Sequence, residues 1–144
     1  MNTSQQPSDL ATLYTDGASS GNPGPAGAAY VLLDEQGITI AERAIPIGIT
    51  TVGVAEYKGL IAGLAEALNL GVKRVQVISD SEFMCRQLQG KYRVRTEAIK
   101  PLYAKAKELS GKLEYFDICH AGREHNERAD ALAKEGARLS AGCR

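Results

Sequence analysis

The sequence predicts an α/β domain: a five-stranded mixed sheet, an antiparallel hairpin continued by parallel strands, flanked by helices. Three observations predict it. Between residues 10 and 47, short apolar runs are separated by clusters of Gly, Pro, Asn and Asp, which reads as strands and turns. From Val54 the apolar spacing changes from two to about 3.6 residues. Beyond Gly71, strand-like and helix-like stretches alternate, the order that sets parallel strands side by side through right-handed crossovers.

Taken in order, residues 1–9 are polar and aperiodic and are expected to form a disordered tail before a single domain at 10–141. Residues 10–16 read as the first strand, running apolar into Asp16 and followed by the turn-rich loop GASSGNPGPAG. GAAYVLL, the turn DEQG and ITIAERAIPI make the antiparallel hairpin. Val54, Tyr57, Ile61, Leu64 and Leu68 form an apolar stripe on a helix of four to five turns, with Gly71 as the left-handed residue that stops it. Glu66 points away from that stripe, toward solvent. VKRVQVISD is the next strand, SEFMCRQL a short helix, and KYRVRTEAI an irregular or partly helical connection. Residues 101–110 form a helix begun by a favourable proline. LEYFDICH is the last strand, and NERADALAKEGARL the last helix with Asn126 as its N-cap.

A chain of 144 residues can bury one core without disulfide or structural-metal support. No run approaches the ~20 apolar residues of a membrane span, and the first residues lack the basic and apolar regions of a secretory signal, so a cytoplasmic address is expected. Cys85, Cys119 and Cys143 are odd in number with no ligand-like spacing; reduced thiols are expected, Cys85 and Cys119 buried. Basic and acidic residues balance at 17 each, yet their distribution is polarised. Up to Cys85 there are four basic and nine acidic residues, whereas residues 86–112 hold eight basic and two acidic ones, with Tyr92 and Tyr103 among them. Such a basic stretch could follow a phosphate backbone while the acidic half hosts cations.

Four acids carry the candidate chemistry. Asp16 and Asp80 end the first and fourth strands, at the rim where ligands gather in α/β sheets. If those strands are neighbours, roughly 5 Å apart, their carboxylates can share one metal ion. Glu56 lies on the flank of the helical stripe near the helix start, and Asp130 about one turn into the last helix, among backbone amides that keep it ionised. Acids converging from separate elements are costly without a cation among them. His120, at the end of the last strand, could exchange protons there; taken singly it, like His125, is more often a surface or capping residue.

With these residues in place, the chain resembles a type 1 ribonuclease H over nearly all of residues 10–139: TDGASSGNPGP resembles that family's first motif, AEYKGLIAGLAEAL its second, ISDSEF its third and HAGREHNERADALA its fourth. The resemblance implies a ribonuclease H-like fold and an endonuclease hydrolysing the RNA strand of RNA/DNA hybrids, leaving 5′-phosphate and 3′-hydroxyl ends. It implies that Asp16, Glu56, Asp80 and Asp130 are catalytic carboxylates binding two Mg²⁺ ions, with Mn²⁺ a substitute, and that His120 aids proton transfer or product departure. By the same resemblance, Gly17 and Asn22 meet the RNA strand, and Thr51 and Ser81 a DNA phosphate. A monomer needing no protein partner or membrane is expected. The chain departs from the family where many relatives place two asparagines, here Val52 and Gly53, and where glutamine is common, here Glu82. It also lacks the tryptophan-containing basic protrusion of some members, having no tryptophan, so Arg93, Arg95 and Lys100 are expected to serve instead. A hybrid-binding module without catalysis and a nuclease of another substrate class are the competing readings.

Overall fold

The computed structural model describes residues 9–142; residues 1–8 of the expected tail, and Cys143, lie outside them. Asp9, assigned to that tail from sequence, instead pairs with Arg74 at 2.8 Å. The elements follow in the order β1 (Ala11–Ser19), β2 (Gly24–Leu33), β3 (Thr39–Thr50), α1 (Val52–Asn69), β4 (Arg74–Ser79), α2 (Glu82–Leu88), α3 (Lys100–Ser110), β5 (Tyr115–His120), a 3-10 turn (Arg123–His125) and α4 (Glu127–Gly142). The sheet has five strands in the order β3-β2-β1-β4-β5. β1, β2 and β3 pair antiparallel, and β1, β4 and β5 parallel, so the expected mixed sheet is present.

Strand ends differ from the sequence reading. β1 runs through Asp16 to Ser19, because Asp16 to Ser19 pair with Ala29 to Ala26 of β2; most of GASSGNPGPAG is therefore ladder, with a turn only at residues 20–23. Pairing of β1 with β4 stops earlier, at Thr15 opposite Ser79. Asp16 thus lies one residue beyond the parallel pairing, where β1 no longer pairs with β4, which gives it the rim position without ending the strand.

Pleating assigns the two faces. A Cβ on Gly17 or Gly63 would meet α1 backbone or the Leu13 side chain, whereas one on Gly27 would meet Ala137 of α4 at 2.2 Å. Leu13, Gly17 and their partners Leu32 and Ala28 therefore face α1, and Asp16 and Ala29 face α4. Leu13, Leu32, Leu60, Leu64, Val75 and Val77 are fully buried at the centre.

The buried face of α1 is not centred on the expected stripe. Ala55, Tyr57, Gly59, Leu60, Gly63, Leu64 and Ala67 are buried, while Val54, Ile61 and Leu68 are only half-buried. Glycine and alanine let the helix axis approach the sheet, so the closest face is the one with the smallest side chains. Glu66, expected in solvent, is half-buried and accepts a hydrogen bond from the Tyr30 hydroxyl at 3.4 Å. Gly71 does stop the helix at φ 80°. Cys85 is buried, its thiol pushed up to about 12 by burial, but Cys119 is only half-buried on the edge strand. No helix among the described residues is long and apolar enough to cross a membrane.

Candidate active site

Three of the four predicted acids meet at the rim. One oxygen each of Asp16, Glu56 and Asp80 lie within 4.8 Å of one another. Each arrives by a local device. Asp16 is carried by the extension of β1 and is held by the Gly17 amide, which donates to Oδ1 at 2.9 Å. Gly17 also lets α1 approach: a Cβ there would come within 2.4 Å of the Glu56 backbone nitrogen, so glycine is what brings the start of α1 against β1. Glu56 Oε1 accepts from the Ser81 hydroxyl at 2.9 Å, tying α1 to the start of α2. Asp80 sits directly after β4, and Ser81 caps α2 by accepting from the Met84 amide at 3.3 Å.

Asp130 adjoins the trio rather than belonging to it. Its carboxyl lies near enough to that of Asp16 for each to shift the other's protonation, Asp16 upward and Asp130 downward. Its other partner is Lys134, 3.1 Å away one turn along α4. Asn126 stands at the expected N-cap position of α4, its carbonyl accepting from the Asp130 amide, but its side chain, 2% exposed, donates from Nδ2 to the Thr15 carbonyl at 3.0 Å. The side chain joins α4 to β1 one residue from Asp16, and this contact together with the backbone bond places Asp130.

Burial and like charge dominate the electrostatics. Asp16, 4% exposed, has its carboxyl raised to about 8 by burial first, then by Asp80 and the contact with Asp130. Glu56 is raised to about 7, chiefly by burial, against the Ser81 hydrogen bond that lowers it. For Asp130 burial works upward, but Lys134, Asp16 and Arg123 outweigh it and hold the carboxyl below the usual range. Asp16 Oδ2 is buried with no hydrogen-bond partner among the described residues. Crowded carboxylates, one with a buried oxygen lacking a partner and with no thiolate or imidazole nitrogen among them, fit a hard divalent cation: the cation would replace the proton that burial favours on Asp16.

The other predicted residues are placed as follows. His120 ends β5, exposed and opposite Ser79, with no hydrogen bond to the acids among the described residues. Thr51 caps α1 by accepting from the Val54 amide, and Asn22 Oδ1 accepts from the Val52 amide at 2.9 Å. Two residues went unnoticed in the sequence. Arg123 donates to Asp80 Oδ2 at 3.4 Å from the loop after β5, and nothing in the sequence marks it. Lys134 pairs with Asp130, and the i, i+4 spacing on a helix is a legible signal.

Fold and carboxylate group together define a ribonuclease H-like domain. A family model described as Reverse transcriptase-like matches residues 14–136. Ribonuclease HI of Halobacterium salinarum is 39% identical over 122 residues, which are 85% of this chain and 61% of that protein. Ribonuclease H of Dinoroseobacter shibae is 36% identical, over 85% of this chain and 88% of that protein. The chain spans about a third (34%) of the Mycobacterium tuberculosis bifunctional protein Rv2228c, at 37% identity. The solved N-terminal RNase H domain of that protein superposes with a TM-score of 0.90 at 35% identity, over 93% of this chain and 97% of the other. LC11-RNase H1, solved in complex with an RNA/DNA hybrid, gives 0.86 at 37% identity, over 92% and 99%. The chain belongs to the type 1 ribonuclease H family.

Proposed function

We propose that this chain is a metal-dependent endoribonuclease that hydrolyses the RNA strand of RNA/DNA hybrids and leaves 5′-phosphate and 3′-hydroxyl ends. The observation that carries the reading is the meeting of Asp16, Glu56 and Asp80 within 4.8 Å, with Asp130 against Asp16. The relative solved with a hybrid bound supports the substrate. Two Mg²⁺ ions, or Mn²⁺ in their place, would supply an activated water and stabilise the leaving oxygen. Asp16, Glu56, Asp80 and Asp130 would hold them, Asp16 giving up its proton on loading. His120, exposed at the same rim, would move a proton at its imidazole. Choice of the RNA strand rests on the 2′-hydroxyl, for which Gly17 and Asn22 are the proposed contacts. Thr51 and Ser81, at the starts of α1 and α2, would border a phosphate of the other strand.

Incubation of end-labelled hybrid, single-stranded DNA, duplex DNA and duplex RNA with the protein and Mg²⁺ tests the reading. Cleavage of the hybrid's RNA strand is expected, reduced by on the order of 100-fold or more in Asp16→Asn. Equal cleavage by both proteins would reject the site. Binding without turnover in either metal would favour a hybrid-binding module.

A further inference from the structure

One buried polar pair links the helices that bring in Glu56 and Asp80. Tyr57, placed in the apolar stripe of α1 by its spacing, is 2% exposed, and its hydroxyl donates to Gln87 Oε1 of α2 at 2.7 Å; Gln87 is 4% exposed. Burial pushes the phenol up, so it stays protonated, and a donor, across the neutral range. Such a pair is costly unless each group finds the other. A Phe and a Leu would fill the same space without that requirement.

Its place decides what it does. Tyr57 follows Glu56, and consecutive helical residues point about 100° apart, so one enters the core while the other stays at the rim. On α2 the Ser81 hydroxyl, at the N-cap, donates to Glu56 Oε1 at 2.9 Å. Gln87 lies about 9 Å further along the helix. These two are the only side-chain hydrogen bonds between α1 and α2 among the described residues. Packing by Met84, Cys85 and Leu88 holds α2 down, but apolar contact is non-directional. A bond at each end fixes the direction of α2; with one alone, its seven residues can pivot. Asp80 immediately precedes α2, so a pivot carries it along. The Ser81 bond ends on one of the acids and is open to change with the charge there. The Tyr57 bond touches none of them.

We propose that Tyr57 and Gln87 are positioning residues of the carboxylate site: their buried hydrogen bond sets the direction of α2 against α1 and thereby holds Asp80 at the distance from Glu56 that a shared divalent cation requires. This deepens the metal-dependent nuclease reading and rests on it.

The test measures Mn²⁺ binding to the full chain by calorimetry, with Asp16→Asn marking the binding that belongs to the acids, alongside hybrid cleavage and thermal melts. Tyr57→Phe and Gln87→Leu, each of which breaks the bond, are expected to weaken Mn²⁺ binding about tenfold and to lower kcat about tenfold, with a smaller change in KM for the hybrid. Tyr57→Phe/Gln87→Leu should lose no more than either single change, because there is one bond to lose. In that double variant no polar member of the pair is left over, so its melt should return toward the wild type while Mn²⁺ affinity and kcat stay low; a purely structural pair would recover all three together. Leu109→Ala, buried on α3, should lower the melt and leave Mn²⁺ affinity unchanged well below it. Wild-type Mn²⁺ affinity and kcat in the double variant, or the same loss of affinity in Leu109→Ala, would overturn the positioning role. A wild-type chain that binds Mn²⁺ at the acids, binds it less well in these variants and yet never cuts hybrid would sink the nuclease reading and leave the positioning role standing.

Discussion

At the scale of single residues, the site is a set of crowded acids, with one buried oxygen, Asp16 Oδ2, left without a partner among the described residues. Asp16 is raised from 3.8 to about 8 mainly by burial, and Glu56 from 4.5 to about 7. Raised folded-state values mean that these two groups hold more protons in the folded chain than in the unfolded one, so their contribution to stability is fully present below about pH 4 and is lost as pH rises through about 8. In EDTA, thermal melts should therefore fall between pH 5 and pH 9, and Asp16→Asn, which cannot ionise, should flatten most of that fall; a wild-type melt that rises over the range would refute the assignment. The acids were legible in the sequence because each follows an apolar run or opens a helix. The partners that tune them were not. Arg123 reaches Asp80 from an irregular loop, and Asn126, at the cap position of α4, also reaches across to β1 with its side chain.

At the scale of elements, small side chains decide how near the helices come, and this is where sequence periodicity misled. Counting bulky apolar residues on α1 gave Val54, Tyr57, Ile61, Leu64 and Leu68, of which only Tyr57 and Leu64 are buried, while the buried face also takes in Ala and Gly positions, and glycine carries no weight in such a count. Two substitutions separate contact from propensity. Gly17→Ala pushes a methyl into the backbone of α1, so it should destabilise by about 1–3 kcal/mol and lose more cleavage than stability, because Glu56 moves with the helix. Gly53→Ala meets nothing nearer than Ile99 Cδ1 at 3.8 Å and should instead stabilise by about 0.5–1 kcal/mol. Chemical denaturation paired with hybrid cleavage reads both; a harmless Gly17→Ala would remove the packing argument. Element type and order were legible because the period changes cleanly at Val54. The strand ends were not, since the extension of β1 past Asp16 depends on pairing with β2.

At the scale of the whole molecule, an acidic rim adjoins a basic connection while net charge is zero, a polarity visible in the residue counts before any coordinates. A divalent cation that binds only the folded chain should raise its stability, by about 2.7 kcal/mol at about 100 times its dissociation constant. The melt should move up on adding Mg²⁺ or Mn²⁺, and Asp16→Asn should lose most of the gain; equal shifts in both proteins would place the cation elsewhere. The bond from Asn126 to Thr15 spans 111 positions of the chain. During synthesis the first three acids emerge long before the fourth, and α4 must dock on a sheet already built before Asp130 reaches its neighbours. A half-made chain on the ribosome therefore carries an incomplete set of acids until the closing helix is in place.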